Sequence, residues 1–152
     1  MTTYEKLRPW TAIQACRCGT LTELLLVDLM TDNPIHCAIC RGEVDPERLP
    51  LTDNEAESMA RWYSVASALY RLWLDSGEYE GYAKQKLSDP HGQINQQARK
   101  LATALSRRLP TRFWYFHDAD DGDPTYCPVC AEPLDTSVDW GVGICRPCHL
   151  QM

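Results

Sequence analysis

Features that would indicate a membrane or secreted protein are missing from this sequence. The densest apolar run, Leu24–Val27, ends at Asp28 and is far shorter than the roughly 20 residues that span a bilayer. The first ten residues, MTTYEKLRPW, lack the apolar core of a secretory signal. We therefore expect a cytoplasmic protein with no membrane partner.

Motifs that would support catalysis are missing as well. The chain has no phosphate-binding glycine loop, no His-Glu-x-x-His sequence and no nucleophile elbow. It also lacks the His-x-Glu that zinc deaminases require. The acidic run Asp118–Asp123 is not a calcium loop, because its glycine stands at the fifth position and no glutamate closes it. We expect no enzymatic activity and no small-molecule substrate.

What the sequence does contain is eight cysteines in four close pairs. The pairs are Cys16/Cys18, Cys37/Cys40, Cys127/Cys130 and Cys145/Cys148. Each pair presents two thiolates from one tight turn, which is half of a tetrahedral zinc shell. The spacers, residues 19–36 and 131–144, have lengths typical of structural four-cysteine sites and group the first two pairs and the last two. We predict two structural zinc ions, one bound near each end of the chain.

Clustered cysteines can also form disulfides, bind iron or act as redox centres. Without an export signal, metal binding is favoured over disulfides. Iron in a rubredoxin-like shell would use the same four thiolates, so the sequence does not separate it from zinc. It also does not prove that the pairs combine locally rather than across the fold. His36 and His149 adjoin ligand cysteines, and because adjacent side chains seldom reach one metal we expect neither to bind it.

The order of elements predicts an α+β fold, in which a central two- or three-helix unit is flanked by two zinc-ribbon-like β modules. The assigned segments are residues 1–50 for the N-terminal module, 51–110 for the helical centre, and 111–152 for an aromatic strand with the C-terminal module. A capping box from Thr52 to Glu55 opens the first helix. Apolar residues then recur every three or four positions up to Gly77.

The remaining elements are predicted from periodicity and from turn residues. Two further helices are expected at Glu78–Leu87 and from about Gln93 to Leu109, where Pro110 ends the second. Strands are expected at Ala12–Cys18, Leu21–Met30, Thr111–His117 and Trp140–Ile144. Gly19 and Gly42 are expected to supply the turn conformations of the first two metal-binding turns.

Charge is distributed unevenly along the chain. The formal net charge is -6, and eight thiolates with two zinc ions would bring it to about -10. Residues 84–112 nevertheless hold seven bases and a single acid. Together with the aromatic strand, this segment predicts a nucleic-acid surface that combines phosphate contacts with base stacking. The residues proposed for that surface are Lys84, Lys100, Arg107, Arg108, Arg112 and Trp114.

The same residues also fit simpler roles. Bases on one helix are often its solvated face or balance acids of the same molecule, and alternate aromatics of a strand normally pack inside. An acidic body also suits a protein partner. Two functions are therefore considered further. One is a non-enzymatic zinc-ribbon protein that binds nucleic acid, and the other is an acidic protein–protein interaction module, such as an adaptor or a neutraliser of a basic partner protein.

Several short motifs follow one another in a specific order. They are Cys16-Arg-Cys18-Gly19, Cys37-Ala-Ile-Cys40, Arg48-Leu-Pro50, Asp53–Trp62, Asp75-Ser-Gly77-Glu78, Leu87-Ser-Asp89-Pro90, Pro110-Thr111, Cys127-Pro-Val-Cys130 and Cys145-Arg-Pro-Cys148. This order resembles a bacterial family of unknown function whose members are described as containing zinc ribbons and as candidate nucleic-acid-binding proteins. The resemblance implies zinc at both ends and nucleic acid as a partner. The chain departs from the family at Ala131, where glycine is usual, and in its acidic loop 118–123.

Overall fold

The fold is taken from a computed structural model, which describes residues 15–28 and 33–152. Within these residues it has three α-helices and five short β-strands, which confirms the α+β class. The strands are β1 (Leu24–Leu26), β2 (Ile35–Cys37), β3 (Thr111–Trp114), β4 (Ile144–Cys145) and β5 (Leu150–Gln151). The helices are α1 (Asp53–Asp75), α2 (Glu80–Ser88) and α3 (Gln93–Leu105). None of these described helices combines the length and apolarity needed to cross a membrane.

One mixed sheet runs through both cysteine-rich ends of the chain. Its strand order is β2-β1-β3-β5-β4. The two outer pairs are antiparallel, whereas the central β3 runs parallel to both of its neighbours. Leu25 of β1 pairs with Arg112 of β3, and Trp114 of β3 pairs with Gln151 of β5. The two modules expected to flank the helices are thus joined through β3, which follows the helices in sequence.

The helices and one face of the sheet share a single apolar cluster. Its sheet members include Leu24, Leu26, Phe113 and Leu150. Helix α1 contributes a buried stripe at every third or fourth residue, made of Ala56, Met59, Trp62, Ala66 and Leu69. Helix α3 contributes Ile94, Ala98, Ala102 and Leu105. Because the Trp62 indole N–H also donates to the Ile94 carbonyl oxygen at 3.1 Å, α1 is tied to the start of α3.

Both ends of α1 follow from local sequence. The Thr52 hydroxyl accepts the Glu55 N–H at 3.2 Å, and the Glu55 carboxylate accepts the Thr52 N–H at 2.9 Å. This is the predicted capping box. The chain leaves the helix through Gly77, whose φ of 63° is the left-handed conformation that glycine adopts without a steric penalty.

Helix α3 ends at Leu105, four residues before the predicted end. The Ser106 hydroxyl donates to the Thr111 carbonyl oxygen at 3.0 Å and accepts the Thr111 N–H at 3.1 Å. These bonds fold the chain back before Pro110 is reached, because a serine hydroxyl can replace helical backbone partners. Helix α2 begins at Glu80 rather than Glu78, after the turn that Gly77 permits.

The strands are shorter than predicted. Strand β3 ends at Trp114 rather than at His117. In the C-terminal module, Gly141 has a φ of 77°, which is incompatible with a strand, so that of the predicted Trp140–Ile144 only Ile144 enters β4.

The N-terminal strands are also shorter. Of the strand predicted at Leu21–Met30, only Leu24–Leu26 is extended and paired, and its last two residues lie outside the described residues. The strand predicted at Ala12–Cys18 lies partly outside them too. Among its described residues, Ala15 forms a single bridge, to Glu43.

Candidate metal centres and basic surface

The eight cysteines come together as two groups of four. The first group is Cys16, Cys18, Cys37 and Cys40, and the second is Cys127, Cys130, Cys145 and Cys148. Within each group all sulfur atoms lie within 4.8 Å of one another. Zinc–thiolate bonds of about 2.3 Å in a tetrahedron would separate the sulfurs by about 3.8 Å, and those of Cys130 and Cys145 are 3.6 Å apart. The pairs therefore combine locally, and each group has the size and chemistry to hold one thiophilic metal ion.

Backbone contacts bring the two halves of the first group together. The Cys16 N–H donates to the Glu43 carbonyl oxygen at 2.6 Å. Gly42 permits this approach, since a Cβ there would lie 2.7 Å from the Cys16 nitrogen. The Arg48 guanidinium donates to the carbonyl oxygens of Cys16 and Cys18, so a positive charge lies beside the thiols.

In the three C-x-x-C turns, the residue after the second cysteine is left-handed. Its φ is 65° at Arg41, 63° at Ala131 and 55° at His149. The N–H groups of Arg41 and Ala131 donate to the carbonyl oxygen of the first cysteine in their pair, at 2.8 and 2.9 Å. The expectation that Gly19 and Gly42 supply turn conformations is wrong, because neither has a positive φ. Each non-glycine residue in this conformation costs about 1 kcal/mol.

The second group is more deeply buried than the first. Cys127, Cys145 and Cys148 are buried, whereas only Cys37 is buried in the first group. The Cys127 N–H donates to the Glu132 carbonyl oxygen at 2.8 Å, which closes the turn around the first pair. The second pair is held by the β4–β5 hairpin, which includes Cys145.

The thiols differ in how readily they ionise when no cation is bound. Burial raises the pKa of Cys145 to about 11 and raises the pKa of Cys148 well above its ordinary value. Burial also opposes ionisation of Cys16, but hydrogen bonds from the Cys18 backbone and from the Cys40 and Arg48 side chains lower its pKa to about 7. Because a divalent metal binds thiolates, it would compensate the packed negative charge, and its affinity should rise with pH.

The two histidines beside the cysteines have other partners. The His36 Nδ1 lies 2.8 Å from the Arg41 carbonyl oxygen, and the His149 Nδ1 lies 3.2 Å from the Ser106 hydroxyl. In the described part of the chain, the groups able to hold a metal consist of cysteines alone. The eight sulfurs are therefore the candidate metal ligands among the described residues.

Two bases proposed for the nucleic-acid surface form ion pairs within the molecule. The Lys84 Nζ lies 2.8 Å from Asp118 and 2.9 Å from Asp121, which joins α2 to the acidic loop. Hydrogen bonding to Lys84 lowers the pKa of Asp118 below its ordinary value. Arg108 pairs with Glu55 at 2.5 Å, so the turn after α3 is joined to the start of α1. These two bases balance acids of the same molecule.

Arg112 and Trp114, on β3, also make internal contacts. The Arg112 Nη1 lies 3.2 Å from the Glu23 carboxylate, and its Nε donates to the Gln151 side-chain oxygen at 3.1 Å. The Trp114 ring stacks on Trp140, with centroids 4.9 Å apart and an angle of 9° between the planes. If Arg112 and Trp114 contact nucleic acid as predicted, they must do so while keeping these internal contacts.

Lys100 and Arg107, by contrast, are exposed to solvent. An open groove of about 370 Å³ is lined by Arg61 of α1 and Lys100 of α3. Lys100 also lines an adjoining groove of about 480 Å³, together with Arg99 and Arg107. Among the described residues, none of these four side chains forms an ion pair. We call this set, Arg61, Arg99, Lys100 and Arg107, the basic groove.

Comparison with known proteins adds no relative. No protein-family model, curated protein or solved structure gives a significant match to this chain. The likeness to the bacterial zinc-ribbon family therefore stays a prediction from its motifs. The site is interpreted from its own geometry.

Two residues at these sites, Arg61 and Arg41, are not indicated by the sequence. Arg61 lies outside the basic segment 84–112, and only the packing of α1 beside α3 brings it close to Lys100. Arg41 places its guanidinium carbon 4.8 Å from the centroid of the Trp140 ring, although about a hundred positions separate the two in sequence. No local pattern indicates either contact, since both depend on the tertiary arrangement of distant elements.

Proposed function

We propose that this protein is a non-enzymatic zinc-ribbon protein in which two structural zinc ions stabilise one sheet and the basic groove binds nucleic acid. The metal-binding half is supported by the two four-sulfur groups. Complete four-thiolate shells leave no open position for water, so zinc bound there would stabilise the fold without catalysing a reaction. Membership of the bacterial zinc-ribbon family belongs to the same proposal.

The binding half rests on one observation, the concentration of unpaired positive charge in the basic groove. The protein as a whole carries a net charge of -6, yet four cations lie together without acidic partners among the described residues. Such a patch would attract phosphates locally even though the rest of the molecule repels them. Arg108 supports it by pairing with Glu55, an acid that lines the groove.

The surroundings of the basic groove favour phosphate contacts over base stacking. Trp62, which lines the groove, is 2% exposed. The aromatic residues Phe113, Tyr115 and Phe116 are buried as well, and Trp114 stacks on Trp140. Binding through phosphates fixes position without reading sequence, so we expect weak sequence preference and strong dependence on salt.

Fluorescence anisotropy of zinc-loaded protein with labelled duplex and single-stranded DNA and RNA, over a salt series, tests this function. With three phosphate contacts, affinity should fall roughly fortyfold between about 50 and 200 mM salt. Lys100→Glu and Arg107→Glu should each weaken binding about tenfold and flatten the salt dependence. Arg71→Glu is the matched control, because Arg71 is an exposed base of α1 that lies outside the basic groove. Absence of binding at the lowest salt would refute the binding half.

The second candidate is the acidic protein–protein interaction module. It is favoured by the ion pairs that Lys84, Arg108 and Arg112 form with acids of the same molecule. Because these bases are already paired, the net charge of -6 is carried by acids that are available to a basic partner. The affinity for a basic partner should be unchanged in Lys100→Glu and Arg107→Glu. It should weaken when exposed acids such as Asp120 and Asp139 are changed to lysine. The same variants therefore separate the two functions.

A further inference from the structure

A stack of side chains connects the first four-cysteine group to the C-terminal module. Arg41 immediately follows Cys40, and its guanidinium carbon lies 4.8 Å from the centroid of the Trp140 ring. Trp140 belongs to the segment between Cys130 and Cys145, and its ring stacks on Trp114 of the central strand at 4.9 Å. The residue that completes one metal-binding turn therefore contacts the loop between the ligands of the other.

The position of Arg41 is set by the turn that carries the cysteines. Its φ of 65° is unfavourable for a residue with a side chain, its N–H donates to the Cys37 carbonyl oxygen at 2.8 Å, and its own carbonyl oxygen lies 2.8 Å from His36 Nδ1. A glycine would adopt this turn with less strain. The same conformation recurs at Ala131 and His149, so the turn imposes it, and at Arg41 it places the side chain over the face of Trp140.

The Trp140 side is held by a second set of contacts. The Gln151 side-chain nitrogen lies 3.3 Å from the Trp140 carbonyl oxygen, and the Gln151 side-chain oxygen accepts from Arg112 at 3.1 Å. Arg112 in turn pairs with Glu23, whose carbonyl oxygen accepts the N–H of Ala38, inside the Cys37–Cys40 turn, at 3.0 Å. A polar chain across β1, β3 and β5 thus joins the same two regions that the stack joins.

Close approach of the two indole rings depends on Gly141. Its φ is 77°, and a Cβ there would lie 2.6 Å from the Met152 carbonyl oxygen and 3.2 Å from the Trp114 ring. Only glycine fits this position without displacing the backbone or the ring. The stack is therefore built into the backbone of the C-terminal module.

We propose that Arg41 couples the two metal sites, so that metal bound by the first group raises the metal affinity of the second. Metal on Cys37 and Cys40 would fix the turn that carries Arg41, and this turn would hold the guanidinium over Trp140. The segment between Cys130 and Cys145, held in this way, would keep the second group assembled. Because such coupling is reciprocal, metal in the second group also favours loading of the first. An Arg–Trp contact of this kind corresponds to a coupling of about threefold to tenfold in affinity. The inference rests on the metal-binding half of the proposed function.

The test compares Arg41→Gly with Ala131→Gly in the full-length chain. Both replace a left-handed residue directly after a C-x-x-C pair, so both relieve the same backbone strain, but only the first removes a contact with Trp140. Cadmium-loaded protein is titrated with a chelator, and cadmium NMR, which gives one signal for each cluster, reports which group empties. Signals are assigned with Cys130→Ser, which removes a ligand of the second group. Near-ultraviolet circular dichroism follows the tryptophan stack.

In Arg41→Gly, the second group should release its metal at a chelator concentration about threefold to tenfold lower than in the wild type, and the tryptophan signal should change. Ala131→Gly should not weaken the second group. In a Trp140→Leu background, Arg41→Gly should have no further effect on the second group. Unchanged affinity of the second group in Arg41→Gly, with both metals bound, would overturn the coupling. A wild type that binds no metal at either group would instead refute the metal-binding half of the proposed function, and the coupling with it.

Discussion

The two four-cysteine groups have the same ligands but are held together differently. Three of the four cysteines are buried in the second group and one in the first. The first group relies on Gly42 and Arg48 to bring its halves together, whereas the second is built on the β4–β5 hairpin at the edge of the sheet. Identical ligands therefore do not imply equal metal retention, because the surrounding chain controls how easily solvent and chelators reach a bound metal.

Removing metal should have the largest effect and should separate the two groups. Each structural zinc site contributes on the order of 10 kcal/mol to folding. Cys40→Ser and Cys130→Ser are matched changes, since both cysteines are exposed and both stand second in a C-x-x-C pair. Each variant should bind one metal and melt at a lower temperature, measured by metal analysis and far-ultraviolet circular dichroism.

The first group of the wild type should lose its metal to a chelator at the faster rate, because it is more exposed. Excess zinc added back is the control for chelator side effects. Release of both metals at the same rate would remove the distinction between the groups. A melting temperature unaffected by either serine variant would contradict a structural role for the metal.

The next largest effect concerns the pH dependence of stability, which should differ between the N-terminal and C-terminal halves of the chain. Both buried acids of the described chain, Asp28 and Glu43, lie in the N-terminal half. Burial raises the pKa of Asp28 from its usual 3.8 to about 7. The folded state then binds the proton more tightly than the unfolded state, so stability falls as pH rises from about 4 to about 7, and the full cost is present above that range.

Asp28→Asn removes this titration and should stabilise the protein by roughly 4 kcal/mol at pH 8 and by less than half of that near pH 5. Urea unfolding of the metal-loaded protein at the two pH values measures the difference. Asp139→Asn, an exposed change in the C-terminal half, is the control and should follow the wild-type profile. Equal stabilisation by Asp28→Asn at both pH values would show that burial does not perturb this carboxyl group.

The smallest expected effects are those of alanine substitutions at a close-packed glycine of each half, Gly42 and Gly143. A Cβ at Gly42 would lie 2.7 Å from the backbone nitrogen of Cys16, and a Cβ at Gly143 would lie 2.8 Å from the Leu134 Cβ, whose position the backbone also fixes. Gly42→Ala and Gly143→Ala should therefore each cost about 3 kcal/mol in urea unfolding. Gly19→Ala, with no atom within 4 Å of the new Cβ, should be nearly neutral. A nearly neutral Gly42→Ala beside a costly Gly143→Ala would mean that the first turn is more plastic than its geometry indicates.

Local patterns predicted the parts of the fold that depend on nearby residues. The capping box at Thr52 and the apolar stripe of α1 are both present, since each depends on contacts within a few positions. The end of α3 was misplaced, because the Ser106–Thr111 hydrogen bonds that terminate it form only when β3 joins the sheet. The left-handed turns were assigned to glycines, whereas the structure places them at Arg41, Ala131 and His149.

The candidate surface was predictable only in part. The basic segment 84–112 was visible in the sequence, but composition does not show which bases have acidic partners. Lys84, Arg108 and Arg112 form ion pairs with acids from distant segments, whereas Lys100 and Arg107 form none with any residue that the structure describes. Arg61 joins the latter two only through the packing of α1 beside α3.

The spacing of the cysteines alone predicts their grouping into two sets of four, because the spacing within each pair and between pairs is a local property of the chain. The α+β class is also predictable, since helical and strand periodicities differ. That both cysteine-rich ends share one sheet through β3, and that Arg41 contacts Trp140, follows only from the tertiary structure. These contacts join residues far apart in sequence, and they form only where burial of the common apolar core brings the distant segments together.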